Sequence, residues 1–424
     1  MKGHDSTQSG SGSRSKRLAL ATAAILALGV MTSTQWVPPL VVGVPQAPPQ
    51  AWRESLSPDA LALVHKALDG LDAVHDHHVH LVATGHEDSG ASFHPDLLSW
   101  LHPIKRMKTA IYQMAGGVET MEKTDSEYVE RLRTLVEHHP ADLSVSLLAF
   151  EGYHDESGAF QPDKTAFHVP NAWTFDVAKR LGDRFEPVAS IHPYRPDAVA
   201  ELRRWHAAGG RMIKWLPNSM GIDPGSPKCD PLYDAMAELG VSLLSHAGDE
   251  HAVDGETRQN LGNPLRLRRP LERGVTVIVA HCGGLGVGED LDAPGAPEVP
   301  NFDLFLRLLS EAPSKDLLFG EISAVVLSNR HGQPLRVLLE REDLHDRLAY
   351  GSDYPLPSID WLIQTHAMAD LGYFTETEAE LLDEVFGVNP LLFDLVLKRT
   401  LRAPGTTRGF APSVFSRKIR AIPR

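Results

Sequence analysis

From about residue 74 onward, short apolar segments alternate with helix-length amphipathic stretches, and this alternation limits the folds open to the chain. Strands that alternate with helices form a parallel sheet, because each crossover helix returns the chain to the same end of the sheet. Eight such segments predict an α/β fold, a (β/α)8 TIM-like barrel with helical insertions, and a doubly wound open sheet is the alternative. The candidate strands are Val74–Val82, Leu143–Phe150, Phe185–His192, Arg211–Leu216, Val241–His246, Val275–His281, Leu317–Ser323 and Arg347–Asp353.

The segments between the candidate strands have the start and stop signals of helices. The stretches Pro196–Ala208 and Pro231–Leu239 each open with proline and repeat apolar residues at helical spacing. Glycine follows each stretch, at Gly209 and Gly240, as is typical of a helix C-terminus. Residues 83–142 have no candidate strand, and we expect them to form a mostly helical insertion.

The first candidate strand contains two imidazoles two residues apart, His78 and His80. In a strand, residues i and i+2 point to the same face, so both side chains can reach one metal ion. Neutral imidazole suits zinc and its first-row neighbours.

Three later strands also end in a side chain that can bind metal. These are His246 on strand five, His281 on strand six and Asp353 on strand eight, and strand four carries Lys214. Each alone also fits a surface hydrogen bond, a salt bridge or a helix N-cap. Together they predict a metal site, because the C-terminal ends of barrel strands meet at one mouth.

The motifs at these strand ends resemble those of the amidohydrolase superfamily, most closely its amidohydrolase-related branch. That branch contains aminocarboxymuconate-semialdehyde decarboxylase, related decarboxylases, lactonases and other hydrolases. The resemblance extends from about Val74 to about Arg399. The matching runs are Asp76-His77-His78-Val79-His80, His246-Ala247-Gly248, His281-Cys282-Gly283-Gly284, Gly351-Ser352-Asp353-Tyr354-Pro355 and Gly387-Val388-Asn389-Pro390.

The resemblance implies a role for each strand-end residue. His78, His80, His246 and Asp353 would hold one divalent metal ion, most often zinc in this branch. Zinc lowers the pKa of a bound water from about 15.7 to about 7, so that hydroxide is available at neutral pH. Asp353 would accept the proton of the water, and His281 would act as an acid or base beside it.

Lys214 raises an alternative with two metal ions. In some members of the superfamily, a carboxylated lysine at the end of strand four bridges two metals. The run Gly209-Gly210-Arg211-Met212-Ile213-Lys214 resembles that element, and His281 would then bind the second ion. Otherwise Lys214 is a cation that holds a substrate carboxylate or an internal acid. Further candidates for the pocket are His192, Glu321 and the run Asp249-Glu250-His251.

The expected reaction is hydrolysis of an ester, lactone or amide by a metal-activated water. Non-oxidative decarboxylation is the first alternative, because it uses the same metal site together with a cation for the carboxylate. A non-catalytic metal-binding barrel is the second alternative, and the complete ligand set argues against it. The substrate is expected to be a small molecule. The net charge of −14 argues against a nucleic-acid partner, and the resemblance suggests a homodimer.

The N-terminal residues predict export or membrane attachment. Arg14, Lys16 and Arg17 precede the apolar run Leu18–Met31, as in a signal sequence or signal anchor. No Ala-x-Ala site follows the run, which favours an anchor with the rest of the chain on the periplasmic side. We therefore divide the chain into an anchor and Pro-rich linker (1–50), a metal-dependent barrel (51–402) and a loosely held basic tail (403–424).

Overall fold

Eight parallel strands follow one another around a barrel in the computed structural model, which describes residues 37–43, 45–253, 256–311 and 316–423. All eight lie within the segments predicted from the sequence. Their bounds are β1 Val74–His80, β2 Leu143–Leu148, β3 Phe185–Val188, β4 Met212–Trp215, β5 Ser242–His246, β6 Val277–Ala280, β7 Leu318–Glu321 and β8 Leu348–Ala349.

Backbone pairing runs around the whole barrel. One sheet joins β1, β2 and β3, and the other joins β4 to β8 in order. The first junction between them is the parallel bridge Ala189–Ile213, and the second is Val79–Tyr354. At the second junction the His80 N–H donates to the Tyr354 carbonyl at 3.0 Å. The fold is therefore a (β/α)8 barrel, and the open-sheet alternative is wrong.

Helices surround the strands and occupy the insertion before β2. Gly240, at the end of the helix before β5, has a left-handed backbone with a φ of 65°, as its position after that helix predicts. The helices are α1 Trp52–Ser55, α2 Pro58–Leu68, α3 Pro103–Ala115, α4 Thr124–Glu137, α5 Asn171–Leu181, α6 Ala198–Ala207, α7 Pro217–Met220, α8 Asp230–Leu239, α9 Arg268–Glu272, α10 Asn301–Ser310, α11 Gln333–Glu340, α12 Thr365–Asp370, α13 Glu376–Phe386, α14 Pro390–Thr400 and α15 Pro412–Ser416. Two short antiparallel ribbons pair Ser92–Phe93 with Phe167–His168 and Val287–Glu289 with Glu298–Pro300.

The C-terminal residues are part of the folded domain, so the prediction of a loosely held tail is wrong. Val414 and Phe415 are fully buried, and Ile419 joins the apolar cluster of strand residues inside the barrel. The Ile419 N–H donates to Nε2 of His77 at 3.2 Å, and the Tyr350 N–H donates to the Val414 carbonyl at 2.9 Å. The prediction rested on the basic residues of the tail and overlooked its apolar residues. Burial of these apolar residues holds the tail against the barrel.

Membrane attachment was predicted from the run Leu18–Met31, which lies outside the described residues. Within the described ranges, no helix has both the length and the apolar character needed to cross a bilayer.

Removing the carboxylate of Asp394 is expected to destabilise the barrel strongly. Asp394 and Lys398 of α14 are both almost fully buried, and their Oδ2 and Nζ atoms are 2.8 Å apart. The substitution Asp394→Ala leaves a buried ammonium without its counter-ion, which costs about 3–5 kcal/mol of unfolding free energy. Urea unfolding of the variant measures this loss.

The double variant Asp394→Leu/Lys398→Met is the control, because it removes both charges and keeps apolar volume. We expect it to unfold at a higher urea concentration than Asp394→Ala. A double variant as unstable as the single one would contradict this account.

Candidate active site

The first group of site residues lies where β1 meets the end of β8. His78 and His80 both face the barrel mouth, with ring centroids 5.0 Å apart. Oδ1 of Asp353 lies 3.3 Å from Nε2 of His78 and 3.2 Å from Nε2 of His80. The Asp353 N–H donates to the His78 carbonyl at 2.8 Å, so the backbone itself places the carboxylate beside both imidazoles.

Asp76 ties the two strand ends together. Its Oδ1 accepts the backbone N–H groups of His78 and Ser352, both at 2.9 Å. Asp76 is fully buried, and burial raises the pKa of its carboxyl group to about 7, although these hydrogen bonds oppose the shift. The first residue of the Asp-x-His-x-His motif therefore fixes the relative position of His78 and Asp353 and lies outside the cavity.

His246 and His281 complete a group of four imidazoles. The His281 ring lies 5.2 Å from the His78 ring and 5.2 Å from the His246 ring, measured between centroids. Nδ1 of His246 lies 3.6 Å from Oε2 of Glu250, and its Nε2 is buried without a hydrogen-bond partner among the described residues. A buried nitrogen of this kind is suited to a metal ligand, because an unpaired buried polar atom is otherwise costly.

Two site residues just after strands β6 and β8 have left-handed backbones. The φ angle is 57° at His281 and 63° at Asp353. Such angles are uncommon for residues other than glycine, and backbone strain of this kind clusters at functional sites. Here it turns both side chains at the point where β6 and β8 end.

A carboxylate and a hydroxyl behind the imidazoles set their orientation. Nδ1 of His78 lies 3.0 Å from Oε2 of Glu321, so with the proton on Nδ1 the lone pair of Nε2 faces Asp353. The Ser323 hydroxyl donates to Oε2 of Glu321 at 2.6 Å and lies 2.7 Å from Nδ1 of His281. Glu321 and Ser323 therefore hold two of the imidazoles in fixed tautomers.

Lys214 is buried at the base of the site. Its Nζ lies 3.2 Å from Nε2 of His78, and its side chain is 1% exposed. Burial lowers the pKa of the ammonium to about 8, against the opposing effect of Asp353 and Glu321. The lowered pKa favours the neutral amine that a carbamate needs, and at neutral pH the cation predicted as the alternative is still present.

Burial holds three of the site histidines in their neutral form. Burial is the main cause that lowers the pKa of His78, His246 and His281 well below the ordinary range, and Arg330 lowers the last two further. Neutral imidazoles keep the lone pairs that a metal ion needs. Burial raises the pKa of Asp353, whereas the hydrogen bond with His80 lowers it, and the pKa lies well below its usual value.

The donor atoms are close enough to surround one ion. Nitrogen and oxygen atoms of His78, His80 and Asp353 all lie within 4.8 Å of one another, and so do those of His78, His281 and Glu321. The second group contains the hydrogen bonds that orient His78, whereas the first group contains three of the four ligands predicted from the sequence. This set of three imidazoles and a carboxylate fits a divalent metal ion.

All six residues that the sequence singled out for the centre line one cavity of about 410 Å³. The structure thus brings them together, and the role of each as ligand or catalyst stays a prediction. The remaining wall is mainly apolar and comes partly from α3 and the ribbon at Phe167. The six residues are His78, His80, Lys214, His246, His281 and Asp353.

The further candidates for the pocket lie in different places, some beside the site and one away from it. Glu321 and Glu250 contact the site histidines, whereas His192 bonds to the Met220 carbonyl and packs on His154 away from the described cavity wall.

Two further residues near the site, Ser323 and Arg330, were not predicted from the sequence. Ser323 had a usable signal, because it follows Glu321 by two residues at the end of β7. Arg330 had none, because it lies in a loop with no motif. Its Nε and Nη1 atoms are buried without a partner among the described residues.

Replacing Glu321 with glutamine is expected to weaken metal binding. The amide keeps the size of the side chain but removes the negative charge that holds the His78 tautomer, and such outer partners typically contribute 10- to 100-fold in metal affinity. A competition titration with a chromophoric chelator measures the change. Glu342→Gln, at an exposed carboxylate, is the matched control. Equal metal affinity in Glu321→Gln and in the unmodified protein would remove Glu321 from this role.

The chain was compared with protein-family models, curated proteins and solved structures. A family model described as Amidohydrolase matches residues 75–393. No curated protein matches the chain. Solved structures with similar folds have low identity and TM-scores below 0.5. An uncharacterized TIM-barrel protein from Bordetella bronchiseptica is 16% identical, covers 74% of this chain and 99% of its own, and has a TM-score of 0.43.

Two further solved structures have named activities. A putative 2-pyrone-4,6-dicarboxylic acid hydrolase from Pseudomonas putida is 15% identical over 74% of this chain and 90% of its own, with a TM-score of 0.41. A 2,6-dihydroxybenzoate decarboxylase is 15% identical over 74% of this chain and 99% of its own, with a TM-score of 0.39.

Proposed function

Because this chain belongs to the amidohydrolase family, we propose that it is a metal-dependent hydrolase that cleaves an ester, lactone or amide bond of a small molecule. The observation that carries the proposal is that the two expected catalytic residues, Asp353 and His281, line the same cavity as the expected metal ligands. The Ser323 hydroxyl lies 2.7 Å from Nδ1 of His281 and fixes the ring beside Asp353. A carboxylate and an imidazole in this arrangement can move a proton between water and a leaving group.

His78, His80, His246 and Asp353 would hold one divalent ion, for which zinc is our proposal. When bound, such an ion lowers the pKa of water to about 7 and polarises a carbonyl oxygen.

The residues of the chain supply the proton transfers and the environment. The hydrogen bond with His80 favours the ionised form of Asp353, so its Oδ2 can accept a proton from water and return it to the leaving group. Ser323 holds Nδ1 of His281, so Nε2 is the nitrogen that acts as acid or base towards the substrate. Side chains such as Phe150, Phe167 and Leu216 exclude bulk water, which strengthens these interactions.

The cavity also supports a substrate class. Its volume of about 410 Å³ and its mainly apolar wall fit a small molecule with an apolar body. We therefore propose esters or lactones of apolar acids or alcohols as the first substrates to test.

The experiment measures turnover by the purified full-length protein after loading with zinc. Panels of nitrophenyl esters, lactones and anilides report hydrolysis, and aromatic acids with release of carbon dioxide report decarboxylation. Hydrolysis that depends on the metal supports the proposal. Turnover only of the acids would overturn it in favour of decarboxylation, and bound metal without turnover in either panel would indicate a binding barrel.

Lys214 is the observation that keeps decarboxylation as the second candidate. Its buried ammonium could hold a substrate carboxylate beside the metal donors, since its Nζ is 3.2 Å from Nε2 of His78. Decarboxylases of the branch need such a cation.

The His281→Asn substitution is expected to lower kcat about 10²- to 10⁴-fold, the usual contribution of an acid–base group. Metal content should stay at one ion per chain if His281 is not a ligand. Steady-state kinetics and elemental analysis of the same sample check both statements. His366→Asn, at an exposed histidine, is the control. Unchanged turnover in His281→Asn would remove the proposed acid–base role.

We also propose export with membrane attachment through the run Leu18–Met31, supported by the basic residues that precede it.

A further inference from the structure

Four large apolar side chains are exposed within seven residues next to the cavity. Their exposed fractions are 36% for Leu98, 44% for Trp100, 88% for Leu101 and 74% for Ile104. We call these four residues the mouth patch. Ile104 itself lines the cavity, so the mouth patch borders the entrance to the site. Soluble proteins rarely expose such a group unless it contacts a partner or a membrane.

Other exposed apolar residues lie on segments that pack against the same part of the insertion. Residues 37–42 and the loop after β8 meet α3 in a small apolar cluster that contains Val42, Ala115 and Ile359. Each of the three segments also exposes a large apolar side chain next to that cluster. More than half of the exposed large apolar side chains in the described ranges belong to the mouth patch or to these neighbours, which are Leu40, Met114 and Trp361.

Basic residues outnumber acidic ones beside the mouth patch, although the net charge of the chain is −14. The first two turns of α3 carry Lys105, Arg106 and Lys108, of which Lys105 pairs with Asp96 at 3.8 Å and Lys105 and Lys108 also line the cavity. The guanidinium of Arg106 lies 3.9 Å from the centroid of the Trp100 ring. Tryptophan and leucine combined with lysine and arginine are typical of helices that lie in a membrane interface and bind anionic lipids.

The described N-terminal residues pack against α3, the helix that begins within the mouth patch. Val41 and Val42 belong to the cluster with α3, and the apolar run Leu18–Met31 ends six residues before Val37. Six residues span at most about 20 Å. If that run is held in a bilayer, Val37 therefore lies within about 20 Å of it, on the segment that packs against α3.

We propose that the mouth patch docks on the surface of a lipid bilayer that contains anionic lipids, so that the cavity opens towards the membrane. Leu98, Trp100 and Leu101 enter the interface, and the basic residues of α3 contact the headgroups. This inference goes beyond hydrolysis and does not depend on it.

The test uses a label at position 101 in the full-length protein. The two natural cysteines, Cys229 and Cys282, are buried and free, so a single introduced cysteine accepts a polarity-sensitive fluorophore selectively. Leu101→Cys places the label in the mouth patch. Ile422→Cys is the matched control, because Ile422 is 84% exposed and follows Ile419, which enters the opposite end of the barrel. Both proteins are mixed with vesicles of phosphatidylcholine and phosphatidylglycerol.

We expect the label at 101 to shift to shorter emission wavelengths and to be quenched by brominated lipid, while the label at 422 does neither. In the same assay, adding Leu98→Glu to Leu101→Cys should raise the lipid concentration for half-maximal shift about tenfold or more.

Binding is also measured by sedimentation of the protein with the vesicles. Three results would overturn the proposal. The first such result is protein that does not sediment, or that sediments while the label at 101 is unchanged. Another is an equal shift at both positions. The third is a shift at 101 that grows with protein concentration without lipid, which would assign the mouth patch to contacts between copies of the chain. Metal-dependent turnover in solution tests the hydrolase proposal separately.

Discussion

Replacing Asp353 with asparagine is expected to lower kcat by about 10³-fold or more. The carboxylate is proposed both as a metal ligand and as the group that accepts the proton of water, and an amide can do neither well. Its Oδ1 lies within 3.3 Å of Nε2 of both His78 and His80, so the substitution also removes the negative charge between two ligands. Asparagine is nearly the same size, and the backbone hydrogen bond from residue 353 to the His78 carbonyl is retained.

Two measurements separate catalysis from folding in this variant. Turnover is measured at saturating metal, and thermal unfolding is measured without metal. We expect a large loss of turnover with little change in the unfolding midpoint of the metal-free protein. Asp370→Asn, at an exposed carboxylate, is the control and should leave both unchanged. Retention of more than a tenth of the turnover in Asp353→Asn would contradict the role of Asp353.

Removing the metal is expected to abolish turnover and to lower the thermal midpoint by several degrees. An ion that binds only the folded state stabilises it by about 4 kcal/mol when its concentration is 1,000 times the Kd. Without the ion, Nε2 of His246 stays buried with no hydrogen-bond partner in the described part of the chain, and the four imidazoles remain close together. Dialysis against a chelator, followed by addition of zinc, manganese or cobalt, measures both effects and shows whether they are reversible.

Elemental analysis of the reloaded protein decides between one and two ions. One ion per chain is expected if Lys214 is a cation, and Lys214→Met should then keep that stoichiometry. Two ions per chain that fall to one in Lys214→Met would assign the bridging carbamate. Full turnover by protein shown to be free of metal would contradict the metal-dependent mechanism.

The sequence predicted the strands well because the spacing of apolar residues and the positions of glycine and proline are local properties of the chain. Each of β1 to β8 lies in a short, largely apolar segment, and several helices between them end at glycine, as at Gly182 and Gly240. The same locality caused the error at the C-terminus. The basic residues of 403–424 are visible in the sequence, whereas the burial of Phe415 and Ile419 depends on strands more than 60 residues earlier.

The sequence by itself determined the barrel and the residues of the centre. Parallel strands in a closed barrel must end at one mouth, so side chains at the ends of β1, β4, β5, β6 and β8 had to meet. The tertiary structure alone decided what surrounds them: the Asp76 contact to β8, the Glu321 and Ser323 contacts to the imidazoles, and the exposed mouth patch. These features depend on distances between atoms far apart in the chain, and no local pattern of residue types encodes such distances.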